Sequence, residues 1–281
     1  MTTTATHTGN SAGRGGAGDA AHWARYERGA TLRVAGVAGA GALNVDGRRA
    51  VGPLQGFGPL WEKTYRVRLA GSAVTPAALI ATWKARFPAF WPAGNRFCAP
   101  PGGIAPGAVA VLDLGLPGHL PLSTGVLVLY ADDESFTLMT PQGHLFSGWI
   151  TFSAYREAGG GGGTVAQARV LMRATDPLYE LGLRLGGHRR EDAFWRHTLA
   201  ALAAHFGVAA PVEARAVCLD SRCQWSRARN LWYNAAIRSA AYRLAAPLRR
   251  ARGAVARAAP LAGRRRGARP GDVRGGARCS R

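Results

Sequence analysis

The side chain best placed for chemistry is a histidine between glycine-containing turns, His144, in TPQGHLFSGWITFSA at residues 140–154. Thr140-Pro141-Gln142-Gly143 fits a type I turn, with proline second and glycine fourth. His144 then enters the next strand at its rim, where an imidazole can bind a ligand, move a proton near neutral pH or satisfy a backbone group. A single acid, Asp113, interrupts the apolar run VLDLG. On a cavity wall, burial would raise its pKa and equip it for proton transfer; on the opposite face it would meet solvent. Asp132, Asp133 and Glu134 are consecutive, so in an extended chain they alternate faces and read as a polar hairpin turn. An enzyme made from these parts (a cyclase, dehydratase or hydrolase) would pair His144 with Asp113 or Asp133 as acid and base.

Other chemistries find little support. Ser123 and Ser153 lack the Gly-x-Ser-x-Gly setting of a nucleophile elbow. The glycine clusters at 101–107 and 159–163 have neither dinucleotide-binding nor P-loop spacing. Cys218 and Cys223 bracket LDSR, a spacing that suits no zinc motif, and no histidine follows at ligand distance. The expectation is no metal, no cofactor, and four reduced thiols at 98, 218, 223 and 279.

The formal charge of +20 is unevenly spread. From Arg238 to Arg281 there are 13 arginines against one acid, Asp272. Lys63 and Lys84 are the only lysines. That skew, with abundant Ala and Gly, makes high basicity weak support for nucleic acid, and the eight tryptophans are not interleaved with arginine on a strand. Nucleic acid is therefore an unlikely partner. The basic, partly amphipathic stretch 228–258 is compatible with adhesion to an anionic membrane surface. Residues 1–29 read as a disordered leader without a secretory core, and no window resembles a membrane span. Cytoplasmic residence, peripheral to the membrane if the basic stretch adheres, is the expectation.

The elements that must position these groups are legible from Thr64 onward. TYRVRLA alternates like a half-buried strand. Thr75 and Pro76 open a helix carrying Leu79, Ile80, Trp83 and Phe87 on one face, broken near Arg86 by Pro88. Strands are predicted at 108–114, 124–131, 135–140, 149–155 and 164–174, the pattern of an antiparallel meander. Asp176 and Pro177 open a short helix. REDAFWRHTLAALAAHFG then places its acids in the first turn, Phe194, Trp195, Leu199, Leu202 and Phe206 on one stripe, and Gly207 at the stop. Residues 211–225 read as an extended connector, 228–258 as a basic helical extension interrupted by Pro247, and 262–281 as a disordered Arg/Gly tail.

Strand, broken helix pair, antiparallel strands and long helix, over residues 60–208, resemble the helix-grip fold of the START-like (SRPBCC) superfamily. Gly143, His144, Gly148 and Phe152 are similar to the Gly-His-x-x-x-Gly stretch of an uncharacterised bacterial branch. The resemblance implies an α+β fold, with a curved antiparallel sheet wrapped around a long C-terminal helix over residues 30–210, and an apolar cavity between them. A small hydrophobic or amphipathic molecule (a lipid, isoprenoid or polyketide-like compound) is the expected ligand. Trp83, Asp113, Tyr130, His144, Trp149 and Trp195 are the candidate contacts.

Overall fold

In a computed structural model of the chain, residues 19–25, 30–34, 39–100, 102–115, 121–157, 163–247, 249 and 278–279 are described. The expected leader before Asp19, the five-glycine tip except Gly163, and most of the Arg/Gly tail lie outside them.

One antiparallel sheet organises the molecule. Its strands are β1 (Leu60–Leu69), β2 (Arg96–Ala99), β3 (Val109–Gly115), β4 (Pro121–Ala131), β5 (Ser135–Met139), β6 (Phe146–Arg156), β7 (Thr164–Ala174), β8 (Glu213–Asp220) and β9 (Arg278–Cys279). They run in the order β8-β1-β7-β6-β5-β4-β3-β2-β9. Helices are α1 (Ala40–Val45), α2 (Pro76–Arg86), α3 (Pro177–Gly182), α4 (His188–His205) and α5 (Ala235–Leu244). The curved sheet with α2 and α4 against one face is a helix-grip fold.

The local chemistry that was expected operates. Thr75 Oγ1 accepts from the Ala78 amide, with Pro76 at the first helical position. Asp176 caps α3 by accepting from the Leu178 and Tyr179 amides. Gly207 ends α4 at φ +75°.

Alternation along the strands assigns two faces. The inner face, under α2 and α4, carries Tyr65, Val67, Leu112, Val126, Phe136 and Phe152 among its apolar groups. The hollow expected beneath α4 is occupied by side chains. Phe87 meets Phe97, Phe136 and Phe152 edge-on at 5.1–5.5 Å, and Trp83 meets Phe152 at 5.0 Å. Removing a ring such as Phe87 would cost about 3–5 kcal/mol.

Other features were not part of the sequence reading or differ from it. The connector at 211–225 contains β8, which pairs with β1 from Leu60↔Asp220 to Arg66↔Glu213. The short strand β2 forms ahead of the glycine cluster at 101–107, and α1 with a 3-10 turn at Pro53–Gln55 precedes β1. Residues 19–24 of the leader pack on β4, where a bulge frees the Leu129 carbonyl to accept from the Ala24 amide. Cys98 is disulfide-bonded, whereas Cys218 and Cys223 are free, so the thiols are not uniformly reduced.

Candidate functional site

The six candidate contacts do not converge. Trp83 and Trp195 both pack on Phe152 of the inner face. Asp113, Tyr130 and Trp149 fall on the outer face, because each is out of phase with its strand's inward apolar residues. Asp113 accepts the Ser123 hydroxyl at 2.6 Å. Tyr130 meets Trp23 edge-on at 4.8 Å and donates to Asp132. Asp132 also accepts from the Glu134 and Ser135 amides; burial opposes its ionisation, but these hydrogen bonds outweigh burial and lower its pKa. The acidic triplet is thus a turn.

His144 is buried in a turn that the outer layer covers. Its Nδ1 accepts from the Phe146 amide at 3.0 Å. Burial holds the imidazole neutral, with its pKa lowered to about 4. The flanking glycines have steric reasons. Gly143 has φ +91°, and a Cβ there would strike the Tyr233 carbonyl; at Gly148 it would strike the Leu171 carbonyl. Among the described residues neither Asp113 nor Asp133 hydrogen-bonds His144. That acid–base pairing is corrected: the motif builds a tightly covered turn.

A different constellation stands where α4 starts across the inner face. Lys63, 2% exposed, occupies an inward position of β1 in phase with Trp61 and Tyr65. Its Nζ lies 2.8 Å from Glu191 Oε2 and 2.8 Å from Asp192 Oδ1. Tyr65 donates to the same Asp192 oxygen at 2.6 Å. Burial pushes the Glu191 carboxyl up to about 7, with Lys63 opposing the rise. Burial also resists ionisation of Asp192, but hydrogen bonds from Lys63 and Tyr65 outweigh it and lower its pKa. His188 packs on Trp61 at 5.1 Å, and burial first, then Lys63, lower its pKa to about 4.

Among the described residues, Glu191 Oε1 and His188 Nδ1 are buried without a hydrogen-bond partner, as are Trp83 Nε1, Trp91 Nε1 and Thr124 Oγ1 on the same side of the sheet. His188 also borders a surface depression of about 310 Å³ walled by Leu183–Arg189. There the helix is interrupted: Leu183–Gly187 makes a π-type turn, with Gly186 at φ +115°. Sequence reasoning missed this cluster by reading Glu191 and Asp192 as helix-dipole charges. The available signal was one of only two lysines standing in phase with an apolar strand face.

A curved antiparallel sheet gripping a long helix is the helix-grip fold, and in this chain a polar cluster stands at that helix's start. No protein-family profile matches the sequence, and no curated protein matches it. Solved structures match about half of this chain at low identity. The di-domain ARO/CYC StfQ from the steffimycin biosynthetic pathway is 14% identical over 53% of this chain and 53% of its own, TM-score 0.41. This chain therefore spans about half of that protein. A START superfamily protein from Mycobacterium smegmatis is 20% identical over 52% of this chain and 97% of its own, TM-score 0.35. Major latex-like protein 151 from Panax ginseng is 13% identical over 53% and 99%, TM-score 0.33.

Proposed function

We propose that the chain binds a small amphipathic molecule between its sheet and α4. The polar end sits by His188 and Glu191, and the apolar body lies against the Trp83–Phe152–Trp195 wall. A lipid, isoprenoid or polyketide-like compound with a hydroxyl or phenol fits this chemistry. The observation that carries the reading is the set of unpartnered polar atoms, Glu191 Oε1 and His188 Nδ1 above all. A core selected for stability alone pairs its buried polar groups, because each unpaired one costs about 1–3 kcal/mol. The side-chain-filled interior requires an entry step. The depression beside His188 and the interrupted helix next to it favour entry there, with aromatic side chains yielding to the apolar body. Burial of that body supplies ~25 cal/mol per Å².

A second reading, acid–base chemistry on the bound molecule, is favoured by Glu191 having a pKa of about 7 beside Lys63. Native mass spectrometry of full-length protein from its own host tests both readings. Binding predicts a co-purifying adduct of a few hundred daltons, diminished in Glu191→Gln. Chemistry predicts that the extracted adduct returns altered from wild type and unaltered from Glu191→Gln. A bare protein mass, unchanged on adding host lipid extract, overturns both.

A further inference from the structure

We infer a second functional surface, a docking face for an anionic lipid bilayer formed by α3, the Leu183–Gly187 turn, and the 3-10 segments Pro53–Gln55 and Trp225–Tyr233. Hydrogen bonds tie these elements into one region. Asn230 Nδ2 donates to Gln55 O and Thr175 O, and Asn234 Nδ2 donates to Asp176 Oδ2 at 2.8 Å. Arg184 Nη2 reaches Cys223 Sγ at 4.0 Å. From this region Leu54, Leu178, Leu181, Leu185, Trp225 and Trp232 stand exposed, Leu185 at 78% and Trp232 at 84%. Scattered exposed apolar residues are ordinary, but six large ones on linked elements signal an interaction surface.

The charge around them identifies the occupant. No acidic residue occurs between Asp220 and Asp272, while Arg222, Arg227, Arg229, Arg238 and Arg243 do. Arg189 and Arg190 are exposed at the start of α4, and neither they nor Arg229 has an ion pair among the described residues. Tryptophan and arginine beside exposed leucines suit the interface of a bilayer, where the ring takes the headgroup level and the cation meets phosphate. A nucleic acid would meet the arginines but offer nothing to the four leucines. A neutral apolar protein partner would leave the arginines without complement. This surface is built from described residues of the folded domain.

Vesicle co-sedimentation with the full chain decides the matter, using phosphatidylcholine vesicles with and without phosphatidylglycerol. Binding to the anionic vesicles alone, weakening with salt, is expected. Leu181→Ser/Leu185→Ser/Trp232→Ala should lower affinity roughly tenfold or more. Arg189→Gln/Arg190→Gln/Arg229→Gln should lower it on the order of a hundredfold. Both sets are exposed, and circular dichroism checks that each variant is folded. A blue shift of tryptophan emission on vesicles should disappear in the first variant. Equal binding by wild type and both variants would assign adhesion to the arginine tail and overturn the proposal. Binding to duplex DNA with unaltered affinity for vesicles in either variant would overturn it as well.

Discussion

The two faces of the sheet treat buried polar groups differently. On the outer face they are joined to one another. Asn44 Nδ2 donates to Ser123 O and Ser239 Oγ while Arg238 donates to Asn44 Oδ1. Arg173 donates to Gly58 O, Arg222 O and Asp220, leaving only its Nε unused. Ser147 and Thr175 hydroxyls lie 2.9 Å apart. These networks clasp α5 and the Trp225–Tyr233 segment to the sheet, which is a structural task. On the inner face, Thr124, Trp83, Trp91, Glu191 and His188 each keep an atom unpaired among the described residues. The contrast is one of degree: the outer layer leaves two guanidinium nitrogens, Arg173 Nε and Arg227 Nε, without a partner among the described residues, whereas the inner face leaves five polar atoms so, the capacity on which the proposed binding draws.

The largest expected effect comes from removing the buried cation. Lys63→Met should cost about 3–5 kcal/mol, since it leaves Glu191 and Asp192 without a counter-charge in a desolvated site. Adding Glu191→Leu and Asp192→Asn should recover most of the loss, as measured by urea unfolding. A single-variant loss under about 1 kcal/mol would mean that the inner cluster is solvated, and the contrast between faces would collapse.

Next in size is an acid effect at the outer layer. With its folded pKa near 4, below the ordinary 6.5, His144 takes up a proton more readily in the unfolded chain. Its contribution is complete above pH 6.5 and is lost as pH falls from 6.5 towards 4, by about 3 kcal/mol. His144→Asn keeps an acceptor for the Phe146 amide as an Asx-turn and removes the titration. The variant's stability should therefore fall less steeply across that window. Parallel slopes would show that His144 is solvated when folded.

Smaller again is Asn44→Ala, expected to cost about 2 kcal/mol by removing the bonds of Asn44 Nδ2 to Ser123 O, Ala235 O and Ser239 Oγ and the acceptor of Arg238 Nε. Because this network is structural, ligand retention at matched fractions folded should not change. A lost adduct would extend the binding role to the outer face.

How far these distinctions were legible depends on the range of the interactions behind them. β7 and α2 were readable to within a residue or two because their patterns are local: alternation, a threonine cap, a proline. β8 was not, because the largely exposed run EARAVCLD shows no buried alternate face and resembles a connector until β1 supplies its partner. Candidate residues fared worse. Asp113, Tyr130 and Trp149 were chosen by type, but a residue's face follows from strand phase, and the bulge in β4 further hides it for Tyr130. Lys63 lies 128 residues from Glu191, and no local pattern encodes a pair joined only by the helix crossing the sheet.

The smallest expected effect separates the faces most cleanly, because its sign differs between them. Ser239→Ala removes a hydroxyl that is fully engaged on the outer face and should cost about 1 kcal/mol. Thr124→Val removes one that is buried on the inner face and unpartnered among the described residues. The exchange conserves shape and discards a desolvated hydroxyl, so it should stabilise the chain by about 1 kcal/mol in urea unfolding. The same exchange should reduce retention of the co-purifying molecule if Thr124 holds it, the exchange of stability for function expected of a binding surface. Destabilisation by Thr124→Val of the size seen for Ser239→Ala would show that the inner hydroxyl has a partner after all, and the two faces would then obey one rule.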